Sequence, residues 1–320
     1  MTYHVLIPDQ VHPSALDVLK AHPEIAFTAP GQMKRDQLLA TVPDADALII
    51  RSASKVDAEV IAAASRLKLI ARAGVGVDNV DIPAATTRGI VVMNTPDGNT
   101  ISTAEHTFGL MLSLARWIPQ AHATLRDGKW DRKTFIGVEL RGKTLGIIGF
   151  GRIGRAVARR ALAFDMTVVA HDPFVSADFA ASLGVTLVTL DELYAQSDFI
   201  TLHALLTDET REMINRESIA KMKAGVRIVD AARGALINEP DLAEALKSGQ
   251  VAGAALDVFA EEPPPPDNPL IGLPNIVHTP HLAASTEDAQ IVVAVEAAGL
   301  IADALLKNEY KNVVNPEAVK

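Results

Sequence analysis

Three side chains in the second half of the chain have the types that proton exchange and carboxylate binding need: Arg233, Glu262 and His281. An imidazole exchanges a proton near neutral pH, a carboxylate beside it fixes the tautomer and stabilises the imidazolium, and a guanidinium clamps a carboxylate through paired bonds. Those are the needs of hydride transfer at a hydroxy acid. Arg233 stands in Asp230-Ala231-Ala232-Arg233-Gly234, where small residues let a ligand come close. Glu262 ends the acidic loop Asp257-Val258-Phe259-Ala260-Glu261-Glu262 ahead of four prolines, and His281 follows Ile276-Val277-His278-Thr279-Pro280. Each taken singly also reads as something plainer: a capped arginine, a solvated loop acid, a structural histidine.

What joins them is a glycine motif upstream. Gly142-Lys143-Thr144-Leu145-Gly146-Ile147-Ile148 leads into Gly149-Phe150-Gly151-Arg152-Ile153-Gly154, after which Ile153, Val157, Ala161 and Phe164 mark one helical face. The context is strand, turn, helix, as a dinucleotide requires. Gly149 permits the tight turn, Gly151 lets the backbone approach a pyrophosphate on the helix N-terminus, and Gly154 lets helix and strand pack closely. Arg152 meets the pyrophosphate, and Ile153 beside it belongs to the same cofactor-binding turn. A second strand, Met166 to Ala170, ends at His171-Asp172, and Asp172 lies 18 residues beyond Gly154, where an acid holds the adenosine ribose hydroxyls. A carboxylate there repels a 2′-phosphate, so the cofactor is expected to be NAD and not NADP. Arg155, Arg159 and Arg160 read as a solvated helix face.

The elements that carry these residues are short apolar runs alternating with helical segments: Val5 to Ile7, Ala47 to Ile50, Leu67 to Ala71 and Ile90 to Met93, then Leu145 to Ile148, Thr167 to Ala170, Phe199 to Leu202, Val226 to Val229 and Ala252 to Leu256. Strands buried on both faces look like this, and the alternation implies parallel sheets in βαβ units. Two series exist, joined by a helical stretch that opens at the capping box Ser102-Thr103-Ala104-Glu105 and continues through Phe108, Met111, Leu112, Ala115 and Ile118. A second Ala-rich helix, about Ser285 to Leu306 with Ile291, Val295, Ala298 and Ala302 on one face, returns to the first series. The expected fold class is therefore α/β, with two Rossmann-like parallel-sheet domains. Residues 1–98 plus 286–320 form a discontinuous substrate domain, residues 99–285 form an inserted dinucleotide-binding domain, and a ligand cleft lies beside the crossing helices.

Composition narrows the partners. The 320 residues carry 30 Lys and Arg against 39 Asp and Glu, for a formal charge of −9, and no basic block offers a footprint for nucleic acid. No cysteine occurs, which removes disulfides, thiolate nucleophiles and Cys-based metal sites. Neither a secretory leader nor an uninterrupted apolar run of spanning length is present, so the expected location is cytoplasmic, away from membranes. His278 and His281 have an i, i+3 spacing, but Pro280 between them interrupts any helix, and no metal is expected.

The chain resembles the D-isomer-specific 2-hydroxyacid dehydrogenase family over nearly its whole length. The most specific segments are Arg51-Ser52-Ala53-Ser54-Lys55, Arg72-Ala73-Gly74-Val75-Gly76-Val77-Asp78-Asn79-Val80-Asp81, Asn94-Thr95-Pro96-Asp97-Gly98-Asn99, Asp127-Gly128-Lys129-Trp130 and Thr279-Pro280-His281. The resemblance implies that His281 is the acid–base residue, Glu262 its partner and Arg233 the group that orients substrate. It also implies that the amides around Gly74, Val75 and Gly76 bind the substrate carboxylate, Val75 touching the cofactor as well, and that Asp257 holds the nicotinamide carboxamide. Ala204, Ala231, Ala232 and the stretch His281 to Ala284, including Ala283, would line the dinucleotide. The resemblance leans to the branch that oxidises 3-phosphoglycerate, with Arg51, Arg72 and Arg132 on the phosphate and Arg132 reaching the neighbouring subunit of a homodimer. A glyoxylate or hydroxypyruvate reductase is the rival enzyme, and an NAD-sensing interaction protein the rival from another class. Two departures stand out: Ala204-Leu205 where many relatives carry Thr-Pro after the histidine, and Ala283-Ala284 in place of a glycine-containing pair. With the last residue at Lys320, C-terminal regulatory domains and feedback through them are not expected.

Overall fold

A parallel strand covered on both faces needs apolar residues at every position, and Ala47–Ile50 is buried along its whole length. In the computed structural model, which describes residues 2–319, the chain divides into two units: Met1–Asn99 with Ser285–Lys320, and Thr100–Ala284.

The first unit holds β1 (Tyr3–Leu6), β2 (Ile25–Thr28), β3 (Ala47–Ile50), β4 (Leu69–Arg72) and β5 (Val91–Asn94). They form one parallel sheet in the order β2-β1-β3-β4-β5. The order reverses between β1 and β3, and ligands bind at such a switch point, beyond the carboxyl ends of the strands. Asp9, after β1, and Arg51, after β3, both stand there. One face of the sheet is covered by the helices Ala58–Ala63 and Ile82–Thr87, through Val60, Ile61 and Ala85. The other is covered by Ser14–Lys20 and by the 21-residue helix Glu287–Lys307. That last helix has the length and apolarity of a membrane span, yet it buries Val293, Ala294, Ala297, Ala298 and Ile301 against this sheet. The face differs from the expected one, since Val295 is exposed.

The second unit holds β6 (Thr144–Ile148), β7 (Thr167–His171), β8 (Thr186–Leu187), β9 (Phe199–Leu202), β10 (Val226–Asp230), β11 (Val251–Leu256) and β12 (Ile276–His278). The parallel order is β12-β11-β10-β9-β6-β7-β8. Its switch point lies between β6 and β9, so the glycine turn after β6 and His203 after β9 flank one crevice. The strands β10, β11 and β12 deliver Arg233, Asp257 and His281 to the same carboxyl edge. The joining stretch is two helices, Thr100–Arg116 and Ile118–Arg126. Trp117, at φ 57°, breaks the path between them, and Pro119 suits the first turn of the second. The first of them begins two residues before Ser102, so the expected capping box is not its start: Ser102 and Thr103 are buried within the opening turns.

Candidate active site

His281 lies on the loop after β12 at φ 54°, in the left-handed region that non-glycine residues rarely enter. The loop is held there by one carboxylate. Asp257, fully buried at the end of β11, accepts the N–H groups of Leu282 at 2.7 Å and Ala283 at 2.8 Å, and its Oδ1 also takes the Thr279 hydroxyl at 2.5 Å. His106 Nε2 lies 3.1 Å from the same oxygen. Burial pushes the Asp257 carboxyl up, but these donors outweigh it and hold it below the usual carboxylate range. The His281 N–H donates to the Asp257 carbonyl at 2.8 Å, which adds a backbone tie at the strained position.

With the backbone fixed, His281 Nδ1 meets Glu262 Oε2 at 2.7 Å. Nε2 is then the ring atom available for exchange with a ligand. The Glu262 hydrogen bond raises the imidazole above its ordinary value, and partial burial and the nearby Arg233 charge pull the other way. Burial also pushes Glu262 up, but the His281 bond and charge bring it down overall. The side chains of His281 and Glu262 are 48% and 38% exposed, so the pair is reachable from solvent. Arg233 follows β10, where Asp230 Oδ1 accepts the Ala232 N–H at 2.8 Å and shapes the turn, and its Nη1 donates to the Ala232 carbonyl at 2.7 Å. Gly234 packs onto Phe259, whose own N–H donates to Glu262 Oε1 at 3.2 Å. Arg233, Glu262 and His281, up to 48 residues apart in sequence, therefore belong to one hydrogen-bonded and packed constellation.

At the switch point of the same unit, Gly149 has φ 91°, and a Cβ on it would lie 2.6 Å from the backbone of His203 and Ala204. Gly154 brings the Arg152–Ala163 helix onto the turn, since a Cβ there would lie 2.2 Å from the Gly149 carbonyl oxygen. Gly151 caps that helix with no side-chain bond and with open space where its Cβ would be. Donor-rich backbone beside open space at a helix N-terminus suits a pyrophosphate. Asp172 accepts the Phe150 N–H at 2.7 Å and the Phe174 N–H at 2.9 Å, which fixes a carboxylate beside the turn. The residues present fit a dinucleotide. Burial pushes the His203 imidazole down to about 3, so it stays neutral under the turn, with Nε2 3.0 Å from the Thr201 hydroxyl. Ala231 is buried in the Arg233 turn, and Ala283 and Ala284 continue the His281 loop.

The first unit offers a different chemistry. Its Ala73-Gly74-Val75-Gly76 turn follows β4 and is anchored by Asn94 Nδ2 on the Val75 carbonyl at 2.6 Å and by the Thr95 N–H on the Gly74 carbonyl at 3.1 Å. Both bonds engage carbonyl oxygens of the turn, and on its N–H side Ala73 donates to the Ile50 carbonyl at 2.8 Å. Arg72 ends β4 with its guanidinium folded over Gly74. Arg51 follows Ile50, the register partner of Arg72, and donates through Nη1 to the Gln10 carbonyl at 3.1 Å. Its own N–H and the Ser54 hydroxyl are taken by the buried Asp9 carboxylate. Arg132 lies in the second unit on an exposed loop whose turn is closed by Asp131 accepting the N–H groups of Lys133 and Thr134.

Residues 108–283, more than half of the chain, match the family described as D-isomer specific 2-hydroxyacid dehydrogenase, NAD binding domain. The chain belongs to the D-isomer-specific 2-hydroxyacid dehydrogenase family. This family member is 51% identical over 316 residues to a protein of Archaeoglobus fulgidus named D-3-phosphoglycerate dehydrogenase, an alignment covering 99% of this chain and 60% of that relative. The chain thus spans about three-fifths of the length of that curated relative. Among solved structures, the TT0316 protein from Thermus thermophilus superposes with a TM-score of 0.89 at 39% identity, covering 97% of this chain and 99% of that one. A glyoxylate reductase from Paecilomyes thermophila superposes with a TM-score of 0.88 at 33% identity, covering 98% of each.

Within this family member, four side chains that hold the constellation give little sequence signal. His106 lies 151 residues from Asp257, among Ser102, Thr103, Glu105 and Thr107 in the first half of its helix, where one more polar residue does not stand out. Thr279 and Asp230 flank residues already singled out, and a hydroxyl or carboxylate two or three positions from a turn was the available cue. Glu239, which bonds the loop carrying Glu262, reads locally as an ordinary acid in the first turn of a helix.

Proposed function

We propose that the chain catalyses the NAD-dependent oxidation of a D-2-hydroxy acid, with 3-phosphoglycerate as the substrate and 3-phosphohydroxypyruvate as the product. The observation that carries this reading is the 2.7 Å contact between His281 Nδ1 and Glu262 Oε2, which leaves Nε2 to take the substrate hydroxyl proton. Glu262 stabilises the imidazolium that forms, and Arg233 pairs with the substrate carboxylate or its developing carbonyl oxygen. When bound, NAD supplies the acceptor for the hydride leaving C2. Gly149, Gly151, Arg152, Ile153 and Gly154 would hold its pyrophosphate, Asp172 its adenosine ribose, and Ala204, Ala231, Ala232, Ala283 and Ala284 would line it. The fully buried Asp257 acts first by holding the His281 loop, and its carboxylate is also the group proposed to meet the carboxamide.

The substrate side rests on the first unit. The amides of Gly74, Val75 and Gly76 bind the carboxylate, and Arg51 and Arg72 bind the phosphate. Identity of 51% to a D-3-phosphoglycerate dehydrogenase supports that choice, and the likeness to a glyoxylate reductase at 33% identity supports the rival. The proposal includes a cytoplasmic homodimer in which Arg132 of the partner subunit completes the phosphate site. The exposed apolar side chains Ile118, Leu125, Trp130 and Ile136 on and after the second joining helix support such an interface. NADH formation with 3-phosphoglycerate, measured beside glycerate, lactate and hydroxypyruvate in the reverse direction, tests the reading. Turnover confined to the unphosphorylated acids would replace it with a reductase of the glyoxylate or hydroxypyruvate class, and no turnover with any of them would favour a sensing role.

A further inference from the structure

The segment between Phe259 and Asn268 carries Glu262, yet it is poorly equipped to hold itself in place. Pro263, Pro264, Pro265 and Pro266 follow in succession, and four consecutive residues without an N–H cannot be secured by backbone donation. The stretch is stiff, so its position is set at its two ends. Both ends meet one side chain. Glu239, the first residue of the helix Glu239–Ser248, accepts the Ala260 N–H on Oε1 at 2.8 Å and the Asn268 Nδ2 on Oε2 at 2.6 Å. Asn268 is itself buried and oriented, since its Oδ1 accepts the Leu270 N–H at 3.0 Å and its N–H donates to the Pro265 carbonyl. That orientation leaves its amide nitrogen pointed at Glu239. The helix bearing Glu239 follows directly on the Arg233 turn, and Gly234 of that turn touches the Phe259 backbone.

We propose that Glu239 is a positioning residue for catalysis: its two carboxylate oxygens clamp both ends of the proline strap and so hold Glu262 against His281. It touches neither reacting atom. This inference rests on the dyad reading given above and adds to it the residue that keeps the dyad together. An acid in the first turn of a helix also stabilises that helix through its dipole. The experiment must therefore read something that helix stability does not move.

That quantity is the pKa of His281, followed in the full-length protein by NMR titration of the imidazole protons, with His281→Asn identifying the resonance. Glu262→Gln should lower it. Glu239→Ala should lower it in the same direction by less, and the Glu239→Ala/Glu262→Gln double variant should titrate like Glu262→Gln alone. Asn268→Ala removes the Asn268 bond and spares the Ala260 bond, and Glu239→Gln, with a single acceptor oxygen, keeps only one of the two, so each gives a smaller shift and serves where Glu239→Ala does not fold. In turnover, Glu239→Ala should lower kcat by up to about 100-fold, the scale on which a misplaced catalytic group acts, with less change in KM. A His281 pKa that falls in Glu262→Gln but keeps its wild-type value in Glu239→Ala and Asn268→Ala overturns the clamp alone. One that stays fixed in Glu262→Gln overturns the dyad and the clamp together.

Discussion

Gly234 lies so close to Phe259 that a Cβ on it would fall 1.9 Å from the Phe259 carbonyl carbon and 2.2 Å from its oxygen. The neighbour is backbone and cannot rotate away, so any side chain at 234 must push the Arg233 turn and the Glu262 loop apart. Gly234→Ala is expected to destabilise the fold by about 1–3 kcal/mol, the usual penalty of overpacking. The loss of turnover should exceed what that destabilisation explains, because Arg233 and Glu262 shift relative to each other. Urea unfolding and kcat measured on the same preparation check this, and full turnover from the folded variant would show that the contact is only packing.

The pH profile follows from the charge at His281. Oxidation needs the neutral imidazole as base and reduction needs the imidazolium as acid. Because Glu262 raises the imidazole above its ordinary 6.5, kcat/KM for oxidation should fall as pH drops through a value above 6.5. For reduction it should fall as pH rises through the same value. Glu262→Gln removes the charge, so both limbs should move to lower pH, while His281→Asn should cost about 10²–10⁴-fold in turnover and leave cofactor binding in place. Profiles of wild type and Glu262→Gln that coincide would count against the pairing.

Asp230 sets a different pH dependence, one of stability. Burial pushes its carboxyl up to about 7, the Ala232 N–H and the Arg233 charge oppose that, and the Asp257 charge adds to it. Its Oδ2 is buried without a hydrogen-bond partner among the described residues. The unfolded chain releases this proton near 3.8 and the folded chain only near 7, so the folded state holds the extra proton between those values. Stability contributed below 3.8 is lost progressively as pH rises to about 7, by at most about 1.4 kcal/mol per pH unit. Asp230→Asn does not titrate, and its stability relative to wild type should climb from about pH 4 to 7 and then level off. The unpaired amide it leaves costs about 1–3 kcal/mol at every pH. Urea midpoints at pH 5 and pH 8 that differ equally in the two proteins would contradict this.

How much of this was legible in the sequence depended on range. The runs at β3 and β9, buried at every position, are read without error in their bounds. β2 and β8 escape, one an edge strand with only Ile25 buried and the other two residues long, while the three residues of β12 are read only as the segment ahead of His281. Arg233, Glu262 and His281 are visible because the ends of strands announce them. The groups that hold them are not: His106 and Glu239 act on residues 151, 21 and 29 positions away, and only the fold says which helix faces which loop. Trp117 shows a similar limit, since nothing in its type foretells a left-handed break between two helices.

If Asp172 holds the adenosine ribose, it decides the cofactor. With its oxygens already fixed by Phe150 and Phe174, the carboxylate cannot swing aside to admit a 2′-phosphate. Wild type should prefer NAD, and Asp172→Ala should narrow the ratio of kcat/KM for NAD over NADP by roughly 10- to 100-fold, the worth of one charged contact. Equal efficiency of the wild-type protein with both cofactors would remove the argument.

Gly74 and Arg72 make the sharpest test of substrate. A Cβ on Gly74 would lie 1.5 Å from Arg72 Nη1, so the absence of a side chain is what lets the guanidinium fold over the turn proposed to bind carboxylate. The obstructed atom is the far end of a flexible chain, so Gly74→Ala displaces Arg72, although φ 144° adds backbone strain of its own. If Arg72 holds the phosphate, Gly74→Ala should reproduce part of the defect of Arg72→Ala, and the double variant should be little worse than Arg72→Ala alone. A charge-assisted hydrogen bond is worth about 1.5–3 kcal/mol, roughly 10- to 100-fold in affinity. Arg51→Ala, Arg72→Ala and Arg132→Ala should therefore each raise KM for 3-phosphoglycerate by that factor and change KM for unphosphorylated hydroxypyruvate much less. Equal losses on both substrates would assign these arginines to structure, as the Arg51 bond to the Gln10 carbonyl already does in part, and would move the substrate toward the unphosphorylated acids.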